Sequence, residues 1–303
     1  PRLVFMGPQP ISFSKDHLNI DNPASIINNY VVTEKADGYR YLLFIDSISQ
    51  KGYLISGKKI KYYKDGKIVE TLNVLDTGII FKNVKSSWLL DGEYINHDKD
   101  NKPISMYMIF DIYYADKEYP SHPYTYPFIS STGISRYNIL MDFKNNILPS
   151  IYNITKNVMD IYIKDYSKGL LVIQPRDSPY NDKIFIESKK ILNKKFLYNT
   201  DGLIYLPANL PVGSDLCGIP REFINGQWNL NYKYKPPHEN TIDFRIRTIK
   251  YKKGHVKYDK ISTINIENSD KTIQSAKVKK VQLFVTYEQF KDNTLDYSQL
   301  VLT

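Results

Sequence analysis

The sequence predicts an α+β chain, with antiparallel sheets and flanking helices over residues 1–237 and a smaller β-domain over 238–303. Three observations carry this. From Tyr30 onward, short aliphatic and aromatic runs are broken by turn signals, which is the pattern of an antiparallel meander. From about 135 to 168 the apolar spacing is closer to helical. After the Pro236–Pro237 pair the chain is basic and strand-like to its end, which places a boundary near 237–241.

The elements follow in order. Residues 1 to about 24 are Pro-rich and irregular, as in "GPQPISF". "YVVTEK", "YRYLLFI", "GYLISG" and "KIKYY" predict strands, and "SSWLLDGEYI" and "ISMYMIFDIYYA" continue them. "SRYNILMDFKNNI" and "IYNITKNVMDIYIKDYS" predict helices. "GLLVIQP" predicts a strand and "ESKKILNKKF" a short basic helix. "DGLIYLP", "NLNYKYKPP" and "TIDFRIRTIKYKK" return to strand, as do "HVKYDKI" and "KVKKVQLFVTYE" in the tail. No internal repeat or low-complexity tract interrupts them.

The 303 residues are 42% hydrophobic, enough for a real core and too many for a disordered chain. Tyrosine is abundant, at 26, and aromatic and β-branched residues favour strands. The net charge of +9 suits a polyanionic partner such as nucleic acid or a nucleotide. Cys217 is the single cysteine, which excludes a disulfide within the chain and fits a reducing, cytoplasmic setting. His17, His97, His122, His238 and His255 are scattered without zinc-ligand spacing. No run of eighteen apolar residues predicts a membrane span, and no signal-peptide pattern opens the sequence. The first residue is Pro1 rather than Met, as expected of a piece of a longer chain.

Asp-Gly occurs four times, in "KADGYR", "YKDGKI", "LLDGEYI" and "TDGLIY". Turn formation accounts for each one taken singly. "YYKDGKIV", polar on both sides, reads as a plain hairpin loop. The other three abut apolar strands and set charged groups at their ends: Lys35 and Asp37 before "YLLFI", Asp91 and Glu93 after "WLL", and Asp201 before "LIYLP". Such positions carry ligand groups in β-rich folds. Lys233 and Lys235 are two apart, so a strand would turn both toward one face, either as edge protection or as a site.

Read in order, these stretches resemble the covalent nucleotidyltransferase superfamily, which comprises mRNA capping enzymes and ATP- or GTP-dependent nucleic acid ligases. "KADGYR" is similar to the nucleophile motif, with Lys35, Asp37, Gly38 and Arg40. "LLDGEYI", "YMIFDIYY", "TDGLIYLP" and "YKYKPP" resemble the motifs that follow it. "YKYKPPHENTIDF" is similar to mRNA guanylyltransferases, and "GPQP" with "VTEKADG" resembles the capping enzymes of large cytoplasmic DNA viruses. The resemblance implies an ATP-grasp-like ligase/capping nucleotidyltransferase domain of antiparallel sheets with flanking helices, followed by a partial OB-fold β-domain.

It also implies a chemistry. Lys35 attacks the α-phosphate of GTP, a lysyl-N-GMP forms, and GMP passes to a 5′-diphosphate RNA to give the GpppN cap. A free lysine has a pKa of about 10.4 and must lose a proton to attack. Lys233 and Lys235 would favour the neutral amine and hold the α-phosphate. Glu93 and Asp201 would hold Mg²⁺ or Mn²⁺. Arg40 would bond the ribose and Phe110 would stack on the base. Lys183 would read the guanine O6, with Arg176, Lys189 and Lys190 as alternatives. Asp243 would sit near the pyrophosphate, and Asp111 would order a turn. Triphosphatase and methyltransferase domains of the same polypeptide are the partners that the viral relatives imply.

Two departures bear on this. Ala36 stands where many cellular capping enzymes have Thr, and no arginine follows Arg247, so the Arg/Lys-rich sixth motif of the family is not found. The expectation is an OB-fold cut before completion and an adduct that forms slowly or not at all. A ligase on the same scaffold and an inactive nucleotide- or RNA-binding module are the competing readings.

Overall fold

The computed structural model describes the chain outside residues 1–4, 6, 65, 116–117, 132, 154–158, 167–182, 220–225, 240–244, 268–272, 280, 292–293 and 303. Its packing falls into two units, Pro1–Glu239 and Asn240–Thr303.

The first unit contains two sheets. One has the order β1-β11-β10-β2, from β1 (Gln9–Ser12), β2 (Tyr30–Ala36), β10 (Thr200–Pro207) and β11 (Gln227–Tyr234). The second has β3 (Tyr39–Asp46), β4 (Lys51–Lys64), β5 (Lys67–Phe81), β6 (Trp88–His97), β7 (Pro103–Ala115), β8 (Ile151–Asn153) and β9 (Asp160–Ile163), in the order β8-β5-β4-β3-β6-β7-β9. Pairings are antiparallel except β1 with β11 and β7 with β9. The expected meander is present as β3-β4-β5 and β6-β7, but β2 lies in the other sheet. The N-terminal stretch, expected to be irregular, supplies β1.

One hydrophobic cluster draws on both sheets, with Val31 and Val32 of β2, Leu43 and Ile45 of β3, Ile109 and Ile112 of β7, and Leu203 of β10. Burying such aliphatic side chains is the main driving force for bringing the sheets together, at about 1.5–3 kcal/mol for each fully buried side chain.

Two helices flank the sheets. α1 (Arg136–Asp142) starts where the Ser135 side chain accepts from the Asn138 amide at 3.2 Å, a normal N-cap, and buries Ile139 and Leu140. It runs on through a π turn and a 3₁₀ turn to Ser150. α2 (Lys183–Asn193) buries Ile184 and Ser188, one turn apart. The Ser188 hydroxyl lies 2.9 Å from the Tyr205 hydroxyl of β10, which ties the helix to the sheet.

Among the described residues of 151–167 the expected helix is not formed. Ile151–Asn153 and Asp160–Ile163 are strands. In β9, Ile161 and Ile163 are half-buried while Asp160 and Tyr162 are exposed. That is period two, and pairing with β7 outweighs the helical spacing seen in the longer window. The "GLLVIQP" strand lies outside the described residues.

The second unit is all strand: β12 (Arg245–Thr248), β13 (Lys250–Lys253), β14 (Val256–Asp259), β15 (Ile261–Glu267), β16 (Ile273–Lys279), β17 (Val281–Lys291) and β18 (Thr294–Leu302). They form antiparallel sheets β12-β17-β18, β13-β14 and β15-β16. Among the described residues these sheets do not join into one barrel. Also among the described residues, no helix is long and apolar enough to cross a membrane.

Candidate active site

The four Asp-Gly pairs separate structurally. Only the one at 65–66 joins a hairpin, β4 to β5, with Lys64 opposite Lys67 and Gly66 at φ 75°. Asp37-Gly38 carries the chain from β2 in one sheet to β3 in the other. Asp91-Gly92 and Asp201-Gly202 lie inside strands β6 and β10. The turn reading therefore fails for these three, and close approach explains their glycines. A Cβ on Gly38 would stand 2.6 Å from the Tyr94 carbonyl oxygen. At Gly202, φ is 141° and a Cβ would stand 1.9 Å from the Tyr234 carbonyl oxygen.

This packing builds a cavity of about 230 Å³ between the sheets. Lys35 from β2, Arg40 from β3, Glu93 from β6, Phe110 from β7 and Lys233 from β11 all line it. Lys35 Nζ donates to both oxygens of Asp201, at 2.7 and 2.9 Å. Lys235, just past β11, donates to the same carboxylate at 2.7 Å. Burial alone would raise the Asp201 pKa, but the bonds from Lys235 and Lys35 hold it below the usual carboxylate range. The bond to Asp201 in turn raises Lys235.

Arg40 donates through Nε to Asp91 at 3.0 Å, through Nη2 to the other Asp91 oxygen, and through Nη1 to the Pro8 carbonyl at 3.0 Å. The Tyr113 hydroxyl also donates to the fully buried Asp91. The Arg40 guanidinium sits over the Phe110 ring at 5.5 Å. Burial disfavours its charge, yet Asp91 more than compensates and raises its pKa.

Glu93 is different. Among the described residues its carboxylate has no hydrogen bond or ion pair. Burial pushes it up to about 7, against the opposing pull of Lys164, Lys35 and Arg40. It is the acid in the cavity whose oxygens are open to a ligand.

Lys164, just after β9, also lines the cavity. Its ammonium donates to the Glu34 carbonyl at 3.0 Å, pairs with the Glu34 carboxylate at 3.3 Å, and lies 5.8 Å from the Phe110 ring centre.

The cavity thus brings together a lysine held by a carboxylate, further cations, an aromatic ring face and an acid unpaired among the described residues. Residues 2–217 match the family described as mRNA capping enzyme, catalytic domain. The chain belongs to the mRNA capping enzyme family. This family is one of nucleotidyltransferases. The resemblance read from the motifs holds. The capping chain is 31% identical over 260 residues to a probable mRNA-capping enzyme of Acanthamoeba polyphaga mimivirus, covering 73% of this chain and 20% of that one. It is 25% identical over 251 residues to the mRNA-capping enzyme subunit alpha of Schizosaccharomyces pombe, covering 80% and 54%. It thus spans a fifth of the first relative and about half of the second. The ligase domain from M. tuberculosis LigD aligns over 89% of this chain and 64% of that one at 11% identity and a TM-score of 0.38, too remote to bear on fold or function.

Within this capping domain, Lys35, Arg40, Glu93, Phe110 and Lys233 share one cavity, and Lys235 and Asp201 join Lys35. Asp37 is exposed at the crossover beside Gly38. Lys183 does not line the cavity: it opens α2. Arg176 and Asp243 lie outside the described residues. Asp111 orders no turn. It lies within β7, buried, and pairs with the fully buried Arg136 at 2.7 Å.

Sequence reasoning missed Lys164, Glu34 and the Asp91–Tyr113 support. Glu34 precedes Lys35 on a strand, where alternation predicts that it faces away from the cavity. Lys164 sat inside a stretch read as helix, so its place at a strand end was hidden.

Proposed function

We propose that this chain is an mRNA guanylyltransferase, transferring GMP from GTP through a lysyl-N-GMP at Lys35 to the 5′-diphosphate end of RNA. The observation that carries this is the Lys35 amine in a purine-sized cavity, bonded to a carboxylate that a second lysine shares.

In the first step Lys35 Nζ gives a proton to water and attacks the α-phosphorus. The N–P bond forms, the P–O bond to the β-phosphate breaks, and pyrophosphate leaves. In the second, an oxygen of the RNA diphosphate attacks the same phosphorus, the N–P bond breaks, and Lys35 regains a proton. Lys233 and Lys235 offset negative charge gathering on the transferring phosphate. Phe110 offers a ring face to the base. Arg40 has three of its five N–H donors occupied by Asp91 and Pro8, which leaves donors for the ribose. Lys164, rather than Lys183, stands beside Phe110 to donate to the guanine O6.

A divalent cation, Mg²⁺ or Mn²⁺, fits the donor chemistry. The described residues contain no cluster of three or more metal-ligating side chains. A hard cation held by Glu93, by Asp201 once its lysines turn to phosphate, and by substrate oxygens and water needs none. When bound, it offsets the charge of the triphosphate. Asp243 beside the pyrophosphate, an OB-fold for residues 238–303, and a cytoplasmic place among triphosphatase and methyltransferase activities complete the reading.

The test is incubation of the chain with a divalent cation and α-labelled GTP or ATP, followed by denaturation. A GMP adduct that accumulates slowly on the wild-type chain, and none on Lys35→Ala, is expected. An AMP adduct instead would mean a ligase.

A further inference from the structure

We propose that Glu34, held by Thr33 and Tyr198, is a positioning residue that sets base selectivity by fixing the Lys164 ammonium in the cavity wall. This rests on the guanylyltransferase reading and extends it to residues outside the cavity.

Glu34 is buried, 5% exposed, and three side chains converge on its carboxylate. The Tyr198 hydroxyl donates to Oε1 at 2.8 Å and the Thr33 hydroxyl to Oε2 at 2.8 Å. Lys164 Nζ lies 3.3 Å from Oε1 and donates to the Glu34 main-chain carbonyl at 3.0 Å. Glu34 also lines a second cavity, on the side that holds Tyr198, Phe196 and Lys194, whereas Lys164 lines the nucleotide cavity. The pair is therefore a partition between the two.

An ammonium has three donors. One is committed to the Glu34 carbonyl, and the ion pair with the Glu34 carboxylate turns the head toward that residue, which leaves donors for a ligand beside Phe110. Lysine alone is a flexible stem with a freely turning head, a poor discriminator. A hydrogen bond and an ion pair to one residue that is itself pinned from both sides restrict that freedom. A fixed donor suits the O6 acceptor of guanine and opposes the amino donor that adenine has there. Glu93 faces Lys164 as well, but shares no bond with it among the described residues. Tyr198 adds rigidity from outside the cavity and touches neither phosphate nor base.

The experiment is equilibrium binding of GTP and ATP to the wild-type chain, Glu34→Gln, Tyr198→Phe, Lys164→Ala and the Glu34→Gln/Lys164→Ala double variant, beside the labelled-adduct assay. Glu34→Gln is expected to weaken GTP binding about tenfold with ATP binding unchanged or tighter, the loss of one charge-assisted bond. Tyr198→Phe, the milder change, should shift the same ratio in the same direction while adduct formation at saturating GTP stays near wild type. In the Lys164→Ala background, Glu34→Gln should add nothing. Equal weakening of GTP and ATP, or full additivity in the double variant, would overturn the proposal and leave Glu34 a structural residue. A wild-type chain that prefers GTP but forms no adduct would sink the catalytic reading alone. One that binds GTP and ATP equally would sink this inference.

Discussion

Lys35 and Asp201 stand 166 positions apart in the chain and are joined by two hydrogen bonds, 2.7 and 2.9 Å long. The carboxylate also holds Lys235, so one acid organises the proposed nucleophile and a second lysine together. Asp201→Asn should cut the rate of GMP-adduct formation at least tenfold, roughly the loss of one charged hydrogen bond. Its melting temperature should move little, because the pair is partly exposed and such pairs contribute little to folding. Rapid-quench labelling beside a thermal melt checks both.

Glu93 gives a pH signature. Its pKa rises from 4.5 to about 7 on folding, chiefly through burial. A group raised in the folded state favours folding below its unfolded pKa, and that contribution is lost as pH rises through about 7. Stability should therefore fall between about pH 4.5 and 7, by no more than about 3 kcal/mol from this residue. Glu93→Gln should flatten that slope and be more stable than wild type at pH 8, while losing adduct formation. Urea denaturation at pH 5 and 8 measures it.

Arg136 and Asp111 form a buried pair that the cavity leans on, since Asp111 is in its wall. Burial pushes the Asp111 carboxyl up despite the arginine. Arg136→Met leaves that acid without its partner and should cost about 3–5 kcal/mol in urea denaturation. Asp111→Leu added to it should recover part of the loss.

The glycines of two Asp-Gly pairs should answer differently to alanine. Gly66→Ala meets open space and carries only the left-handed backbone penalty, about 1–2 kcal/mol. Gly202→Ala must also displace the Tyr234 carbonyl and should cost more than about 3 kcal/mol, with loss of nucleotide binding. Paired denaturation curves compare the two.

Much of the site was legible because its residues come in short runs with their own chemistry. Lys35, Arg40, Glu93, Phe110 and Lys233 each sit in a quoted motif, and all five line one cavity. Local pattern could not show which sheet a strand joins. "YVVTEKADGYRYLLFI" reads as a hairpin, yet its two strands belong to different sheets. Lys164 was hidden for a related reason: four residues of strand inside a longer apolar stretch take their pairing from a distant partner, β7. Lys183 was expected, from the resemblance, to read the guanine O6, but helix α2 opens with it and it is not in the cavity lining.

The crossing at Asp37-Gly38 has a bearing on how the protein is made. Lys35, the proposed nucleophile, lies in β2, which is complete by residue 36. Its carboxylate, and the two lysines that flank the phosphate, emerge from the ribosome only after residue 200. A nascent chain just short of that point already carries all seven strands of the larger sheet but lacks the acid that holds Lys35 and two strands, β10 and β11, of the sheet that contains Lys35. On the proposed function, a product terminated before residue 200 is expected to form no nucleotide adduct, because Asp201, Lys233 and Lys235 are all missing from it.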